Sequence, residues 1–372
     1  MKFSTSKTEL QQALQKLSKV SPTRSTLPIL GCVLIESSNE RTTLRATDLE
    51  LTVQSKISVS IENEGSVATP LKQLLDITNE LAETRITISA DNKNKIEIQT
   101  DMGVYNLMGK AAEEFPASPE TKQTTDLSLP AKTLKSIIDK TLFAVSKDEL
   151  KPALTGVLIR FAPKNITAVS TDGHRLVRYK EQNVDALSFS GDVLAPKKFL
   201  SYLSPQLSAG DIGVSIGDNY LTTKIEQDTI ITRTIGERFP DYESVIPKDN
   251  EKTLKADKDS ILGAIRRVSI FSNRATHQVS LNLSNKKCLI TTDDPEKSSK
   301  AQEELPAEYL GEDLVVGYNA EYLKDVIGHI GGKTVVVRLN TSISATLFNL
   351  EDVKKKSETD NLMLLMPIRL NV

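Results

Sequence analysis

The residues best equipped for chemistry stand together in TDGHRL, Thr171 to Leu176: a carboxylate, a glycine, an imidazole and a guanidinium in a chain with three histidines. Asp172 could orient or charge His174 and Arg175 could hold an anion, which is half of a general acid–base constellation. The other half is not found. No Ser or Cys stands in a nucleophile-elbow context, there is no glycine-rich phosphate loop, and His277 and His329 lack metal-ligand spacing. The surrounding VSTDGHRLVRY points elsewhere, because β-branched and aromatic flanks around Asp-Gly are hairpin chemistry. The expectation is a tight turn with a structural or binding role, catalysis being the rival.

The elements that would position this segment follow from the whole chain. At 372 residues it exceeds one core and divides into two or three domains. Hydrophobic residues make up 38%, no apolar run reaches membrane-spanning length, and MKFSTSKTEL lacks a signal peptide's apolar core, so a cytoplasmic protein without membrane contact is expected. Cys32 and Cys288, in the strand-like stretches GCVLI and KKCLITT, read as buried thiols and not as a disulfide or metal site. No cofactor or metal is called for. The net charge of −2 balances 47 basic against 49 acidic residues, so a polyanion partner depends on segregation of the basic side chains.

TDGHRL has relatives within the chain. Thr47-Asp48, Thr171-Asp172 and Thr292-Asp293 are separated by 124 and 121 residues, and Pro116, Pro240 and Pro367, in EEFP, ERFP and LLMP, by 124 and 127. Pro follows Thr by 69 residues in the first two units and by 75 in the third, whose extra length fits the charged loop EDVKKKSETDN. A period of this size is a domain repeat. Each unit opens with an amphipathic helix whose apolar residues recur at helical spacing: Leu10, Leu14 and Leu17; Leu134, Ile137 and Ile138; Ile261, Ile265 and Val268. A second helix follows halfway, in TPLKQLLDI, APKKFLSYL and YNAEYLKDV, with Pro70 and Pro196 expected in a first helical turn and Asn319 as a cap. Alternating stretches such as RITISADNKNKIEIQT and KTVVVRLNTSISATLFNL supply strands between them. The fold class is therefore α+β: three similar domains at 1–122, 126–248 and 252–372, joined near QTTDLSL and KDNEKTL, each with two helices packed on antiparallel sheets.

Basic residues gather on the opening helices and the turns after them: Lys7, Lys16, Lys19 and Arg24; Lys132, Lys135 and Lys140; Lys258, Arg266, Arg267 and Arg274. Lys197 and Lys198 add to them on a second helix, whereas LKQLLDITNELAE is net acidic. Such a face is ordinarily solvated surface, and only equivalent placement in three like domains turns it toward nucleic acid.

SPTRSTLPIL with Arg24, the ATDLEL segment, TDGHRL, FPDYESVIP and the C-terminal MPIRL occur together, in order, over the full length. In this the chain resembles the β sliding clamps, the processivity subunits of bacterial DNA polymerase III. The resemblance implies a DNA-clamp fold whose three domains per chain close head to tail with a second chain into a homodimeric ring around duplex DNA, with no catalysis. It implies that TDGHRL belongs to a pocket for short peptides of the replicative polymerase, the clamp loader and other clamp-motif proteins. By motif the pocket comprises Leu154, Thr171, Gly173, His174, Arg175, Leu176, Pro240, Val245, Leu364, Met366, Pro367, Ile368 and Arg369. DNA contacts would come from Arg24, Lys147, Lys151, Lys197, Lys198, Arg266 and Arg267, and the dimer joint from Tyr105 and Leu107 against Ile270 and Phe271. Departures bearing on pocket selectivity are Ser244, where some members are basic, the conservative changes Leu364 and Ile368, and Asn371-Val372, which extends beyond the Arg-Leu where some stop; KDELKPAL lacks aromatics found in some members, so DNA contacts there are expected only from Lys147 and Lys151.

Overall fold

The structure, a computed structural model, describes residues 1–38, 41–119, 124–182, 184, 187–349 and 359–370. Most of the charged loop expected at 351–361 and the Asn371-Val372 extension lie outside the described residues. The six expected helices form, as α1 (Lys7–Ser18), α2 (Leu71–Glu80), α3 (Ala131–Thr141), α4 (Lys197–Leu203), α5 (Lys258–Ser269) and α6 (Ala320–His329). All nine apolar residues assigned to the opening helices are at most 5% exposed, each contributing about 1.5–3 kcal/mol of burial.

The helix starts follow local chemistry. Ser6 accepts the Glu9 amide at the head of α1, Asp257 the Ser260 amide at α5, and Asn319 the Glu321 and Tyr322 amides at α6, so each side chain satisfies amides the helix leaves open. Pro70 departs from expectation. It ends the strand Gly65–Pro70 and precedes α2 with φ −54° and ψ 107°, outside the helical turn. Pro196 likewise ends the strand Gly191–Pro196, its ring lying where the chain is still paired. The tail of α6 is held by two lysines: Lys140 Nζ donates to the His329 carbonyl at 3.0 Å and Lys258 Nζ to those of Gly328, at 3.1 Å, and Ile330. Burial and then the neighbouring Lys258 charge push the Lys140 pKa down. These two lysines, counted from sequence among a solvated basic face, are instead partly buried helix caps.

Among the described residues the strands form four antiparallel sheets, and the chain divides into two compact units: residues 1–132 with 201–234, and 133–200 with 235–372. The division crosses the middle repeat because strands pair across the repeat boundaries. In the first unit Leu51–Ser58 pairs with Asp228–Arg233 within an eight-stranded sheet, and in the second Arg175–Gln182 pairs with Thr359–Leu365 within a nine-stranded one. Each seam is apolar at its centre, Val53 facing Ile230 and Val177 facing Met363, all four fully buried. The first unit also holds a five-stranded sheet ending on Val104–Met108, and the second a four-stranded sheet flanked by Ser299–Pro306 and Leu314–Asn319.

Cys32 and Cys288 are buried and free, and burial pushes the Cys288 thiol up to about 12. Among the described residues no helix is long and apolar enough to cross a membrane.

Candidate functional site

TDGHRL is a turn whose hydrogen bonds commit its hydroxyl and its carboxylate. Thr171 Oγ1 donates to the Arg175 carbonyl at 2.7 Å and accepts the Gly173 amide at 3.1 Å, while Asp172 Oδ1 accepts the amides of His174 and Arg175 at 2.9 and 3.0 Å. Gly173 sits at φ 89°, where a side chain is strained. The first repeat builds the same turn: Thr47 Oγ1 donates to the Leu51 carbonyl and accepts the Leu49 amide, and Asp48 Oδ1 accepts those of Glu50 and Leu51. The third does not. Its strand runs on past Thr292-Asp293 to Asp294 and turns over Pro295–Lys297, so the shared dipeptide outlasts the shared geometry.

Asp172 Oδ2 accepts Arg175 Nε at 3.0 Å, which commits the carboxylate to the turn and to Arg175 and leaves the His174 ring outside that pairing. The ring is exposed and stacks on Tyr322 of α6, centroids 5.6 Å apart and planes 19° off parallel. Arg175 is the hub: Nη1 donates to Asp325 at 2.6 Å, Nη2 donates to the Phe143 carbonyl at 2.8 Å, and the guanidinium lies 4.7 Å from the Tyr322 centroid and 5.3 Å from that of Phe143. With its side chain 9% exposed, it fastens the turn to α6. Arg175→Ala leaves Asp172 buried beside a lost cation; stability is expected to fall by about 2 kcal/mol, less than for a fully enclosed pair because Asp325 is half exposed. Urea unfolding checks this; an unchanged midpoint would show that the hub holds nothing.

Beneath the turn lies an apolar floor. Leu176 and Leu364 face each other across the seam and join Leu158, Val169, Leu194, Tyr242 and Leu347 in one buried cluster, with Phe239 and Ile246 packed against it. Pro240 and Val245 are exposed around Tyr242, and Leu154 is half-buried just before the strand Gly156–Ala162. The C-terminal tail closes one side. The Met366 amide donates to the His174 carbonyl at 2.8 Å and the Ile368 amide to that of Gly317 at 2.8 Å, while Met366 is 39% exposed. The structure thus brings TDGHRL, the 239–246 segment and MPIRL together, with Arg369 of the last exposed. Tyr242, Tyr322, Asp325 and Leu347 were not singled out from sequence. Tyr242 lay inside FPDYESVIP, whereas Tyr322 and Asp325 carried no signal beyond membership of a helix.

Among the cationic residues, Lys147, Lys151, Lys197, Lys198, Arg266 and Arg267 belong to the second unit and Arg24, exposed, to the first. Burial and then the charges of Lys147 and Arg175 lower the Lys197 pKa. Lys151 lies 3.9 Å from Asp148, and Arg267 grips Glu303 with two bonds of 3.0 and 2.5 Å, whereas Arg266 is exposed beside it. Of the four residues assigned to a joint, Tyr105 and Leu107 are half-buried on the edge strand Val104–Met108, and Ile270 and Phe271 are 77% and 45% exposed after α5.

Models of the N-terminal, central and C-terminal domains of the DNA polymerase III beta subunit match residues 1–119, 128–241 and 243–369. The beta sliding clamps of Pseudomonas aeruginosa and Chlamydia pneumoniae are 29% and 26% identical to this chain, over 100% of both chains. The crystal structure of the DNA polymerase III subunit beta from Pseudomonas aeruginosa superposes with a TM-score of 0.92 at 28% identity, and that of a DnaN sliding clamp from the same organism, bound to griselimycin, with 0.90 at 28%, each covering 100% of both chains.

Proposed function

We infer the working form of this protein from a premise: the chain belongs to the family of DNA polymerase III beta subunits, the β sliding clamps. It adopts their three-domain fold and is a processivity clamp. In our reading the domains are residues 1–122, 126–248 and 252–372, and two chains join head to tail into a cytoplasmic ring around duplex DNA, without cofactor, metal or catalysis.

The observation that carries this reading is a pair of unmatched apolar ends. The strand Val104–Met108 ends its sheet with Val104 and Met108 53% and 66% exposed, and Ile270 and Phe271 stand uncovered beside α5. An open edge with exposed apolar residues needs a cover. If the first domain's edge meets the third domain's end of a partner, a head-to-tail contact closes whenever the rotation per domain sums to a circle. Linkage then replaces affinity. A ring cannot leave duplex sideways, so Arg24, Lys147, Lys151, Lys197, Lys198, Arg266 and Arg267 need make only weak, sequence-blind phosphate contacts, which suits a chain of net charge −2.

The groove of Thr171, His174, Leu176, Pro240, Val245, Leu364, Met366 and Pro367 receives short segments of the replicative polymerase, the clamp loader and other replication factors, through a Gln followed by aliphatic and aromatic anchors. Its support is the apolar floor flanked by polar main-chain groups, as peptide grooves require. A related clamp from Pseudomonas aeruginosa binds griselimycin, so the family offers a ligand site. Arg175 acts here by holding the turn.

Loading the protein on nicked circular and on linearised DNA tests encirclement. The circular complex is expected to persist in salt that strips the linear one, and removing one DNA-facing cation is expected to flatten the salt slope of linear binding by about one unit. Equal release from both forms would sink the ring.

A further inference from the structure

We propose that Gly317 is a positioning residue for the peptide groove: a seat without a side chain into which Leu370 fits, so that Met366 and Pro367 are presented at the groove. The proposal rests on the groove assignment above.

The tail is tied at two points, Met366 to His174 and Ile368 to Gly317, and Met366 and Pro367 occupy the span between them. The second tie lies on Leu314–Asn319, the free edge of the four-stranded sheet, where Gly317 forms an isolated antiparallel bridge with Ile368. On that strand Val316 and Tyr318 point into the core and Val315 points out, 45% exposed. Alternation puts residue 317 on the outer face with Val315, yet Gly317 is buried. Tail atoms lie where its side chain would be. A Cβ there would stand 2.6 Å from Leu370 Cδ2, 2.9 Å from Leu370 Cγ and 2.9 Å from the Ile368 carbonyl oxygen. The leucine could swing aside, but the carbonyl is main chain of the residue that makes the bridge, so any side chain at 317 pushes the tail away from its tie.

The middle repeat makes the same crossing with the sizes exchanged. The Ile235 amide donates to the Leu194 carbonyl at 3.0 Å just as Ile368 does to Gly317, each acceptor lying two residues before the last residue of the strand that leads into a helix. There the strand residue is Leu194, itself buried in the groove floor, and two residues beyond Ile235 the chain carries the exposed Glu237. At the C-terminal crossing the strand residue is Gly317 and the residue two beyond Ile368 is Leu370. The large side chain has moved from strand to tail, and a glycine on the strand is what that exchange requires.

Gly317→Ala, Leu370→Ala and the double variant, each in the full chain, test this against a fluorescein-labelled peptide carrying Gln followed by aliphatic and aromatic anchors. Each single variant is expected to weaken binding about tenfold, the scale of one lost anchoring bond. The double variant is expected to be no weaker than the worse single one, because both remove the same contact. The methyl resonance of Met366 is expected to shift in Gly317→Ala while the melting temperature and dimer mass stay unchanged, a combination that general loosening of the sheet would not give. Unaltered peptide affinity in Gly317→Ala, or losses that add in the double variant, overturns the proposal. Should Gly317→Ala not fold, Leu370→Ala decides, and wild-type affinity there is equally fatal. Failure of the wild-type protein itself to bind the peptide is distinguishable from these, since it removes the groove assignment first.

Discussion

With Ile270 and Phe271 both replaced by Lys, the protein is expected to be a folded monomer at micromolar concentration. Covering these side chains at a joint contributes about 2 kcal/mol or more for each, and burying two unpaired ammonium groups in their place is costlier still. A change above about 4 kcal/mol shifts association by roughly three orders of magnitude or more per joint. A closed two-chain ring has two such joints, so both are lost together. Folding is not expected to suffer, because Ile270 is 77% and Phe271 45% exposed, while the residues of α5 that face the core, from Ile261 to Val268, are untouched. Sedimentation with circular dichroism reads both quantities. An unchanged dimer sinks the joint, and an unfolded chain would mean that these residues serve the core after all.

That any residues could be assigned to a joint came from motif resemblance, whereas helices and strands were legible from the residues themselves. Leu134, Ile137 and Ile138 recur at helical spacing and are buried, and DIGVSIGDNYLTTKIEQDTIITRTI alternates and gives the strands Asp211–Ile216, Tyr220–Ile225 and Asp228–Arg233. Asp-Gly between β-branched flanks reads as a turn because local hydrogen bonds decide it. What stayed hidden was non-local. Nothing within TDGHRL tells that Arg175 reaches Asp325, 150 residues on, or that Lys140 and Lys258 meet at the end of α6. Helix charge periodicity cannot separate a solvated lysine from a capping one, since both leave on the polar side. The pairing of strands across repeat boundaries was equally illegible. The period marks similar repeats, but Val177 against Met363 is a contact between different repeats, and no internal similarity encodes it.

Deleting the chain from Met366 onward is expected to abolish peptide binding while leaving dimer mass and retention on circular DNA unchanged. The groove we propose joins the turn Thr171–Leu176 and the 239–246 segment, over their shared apolar floor, to the tail that follows the strand Thr359–Leu365. The deletion spares Met363, Leu364 and Leu365, all at most 2% exposed, so the seam with Arg175–Gln182 and the floor under Leu176 remain. It removes one wall. Micromolar recognition of a short segment depends on a few anchors enclosed on more than one side, and an anchor left with a floor but no wall keeps much of its contact with water. Losing roughly half of the apolar cover of two anchors amounts to about 3 kcal/mol, a hundredfold or more, which takes a micromolar complex beyond ordinary detection. His174→Ala is milder: the ring is exposed and stacked on Tyr322, while the main-chain carbonyl that ties Met366 survives the substitution, so a loss of only about threefold to tenfold is expected. Titrating the labelled peptide against both variants reads the difference directly. If the truncated chain binds as tightly as the intact one, the tail is no part of the groove; if His174→Ala instead removes a measurable turnover, TDGHRL is an active site and the binding role assigned to it is wrong.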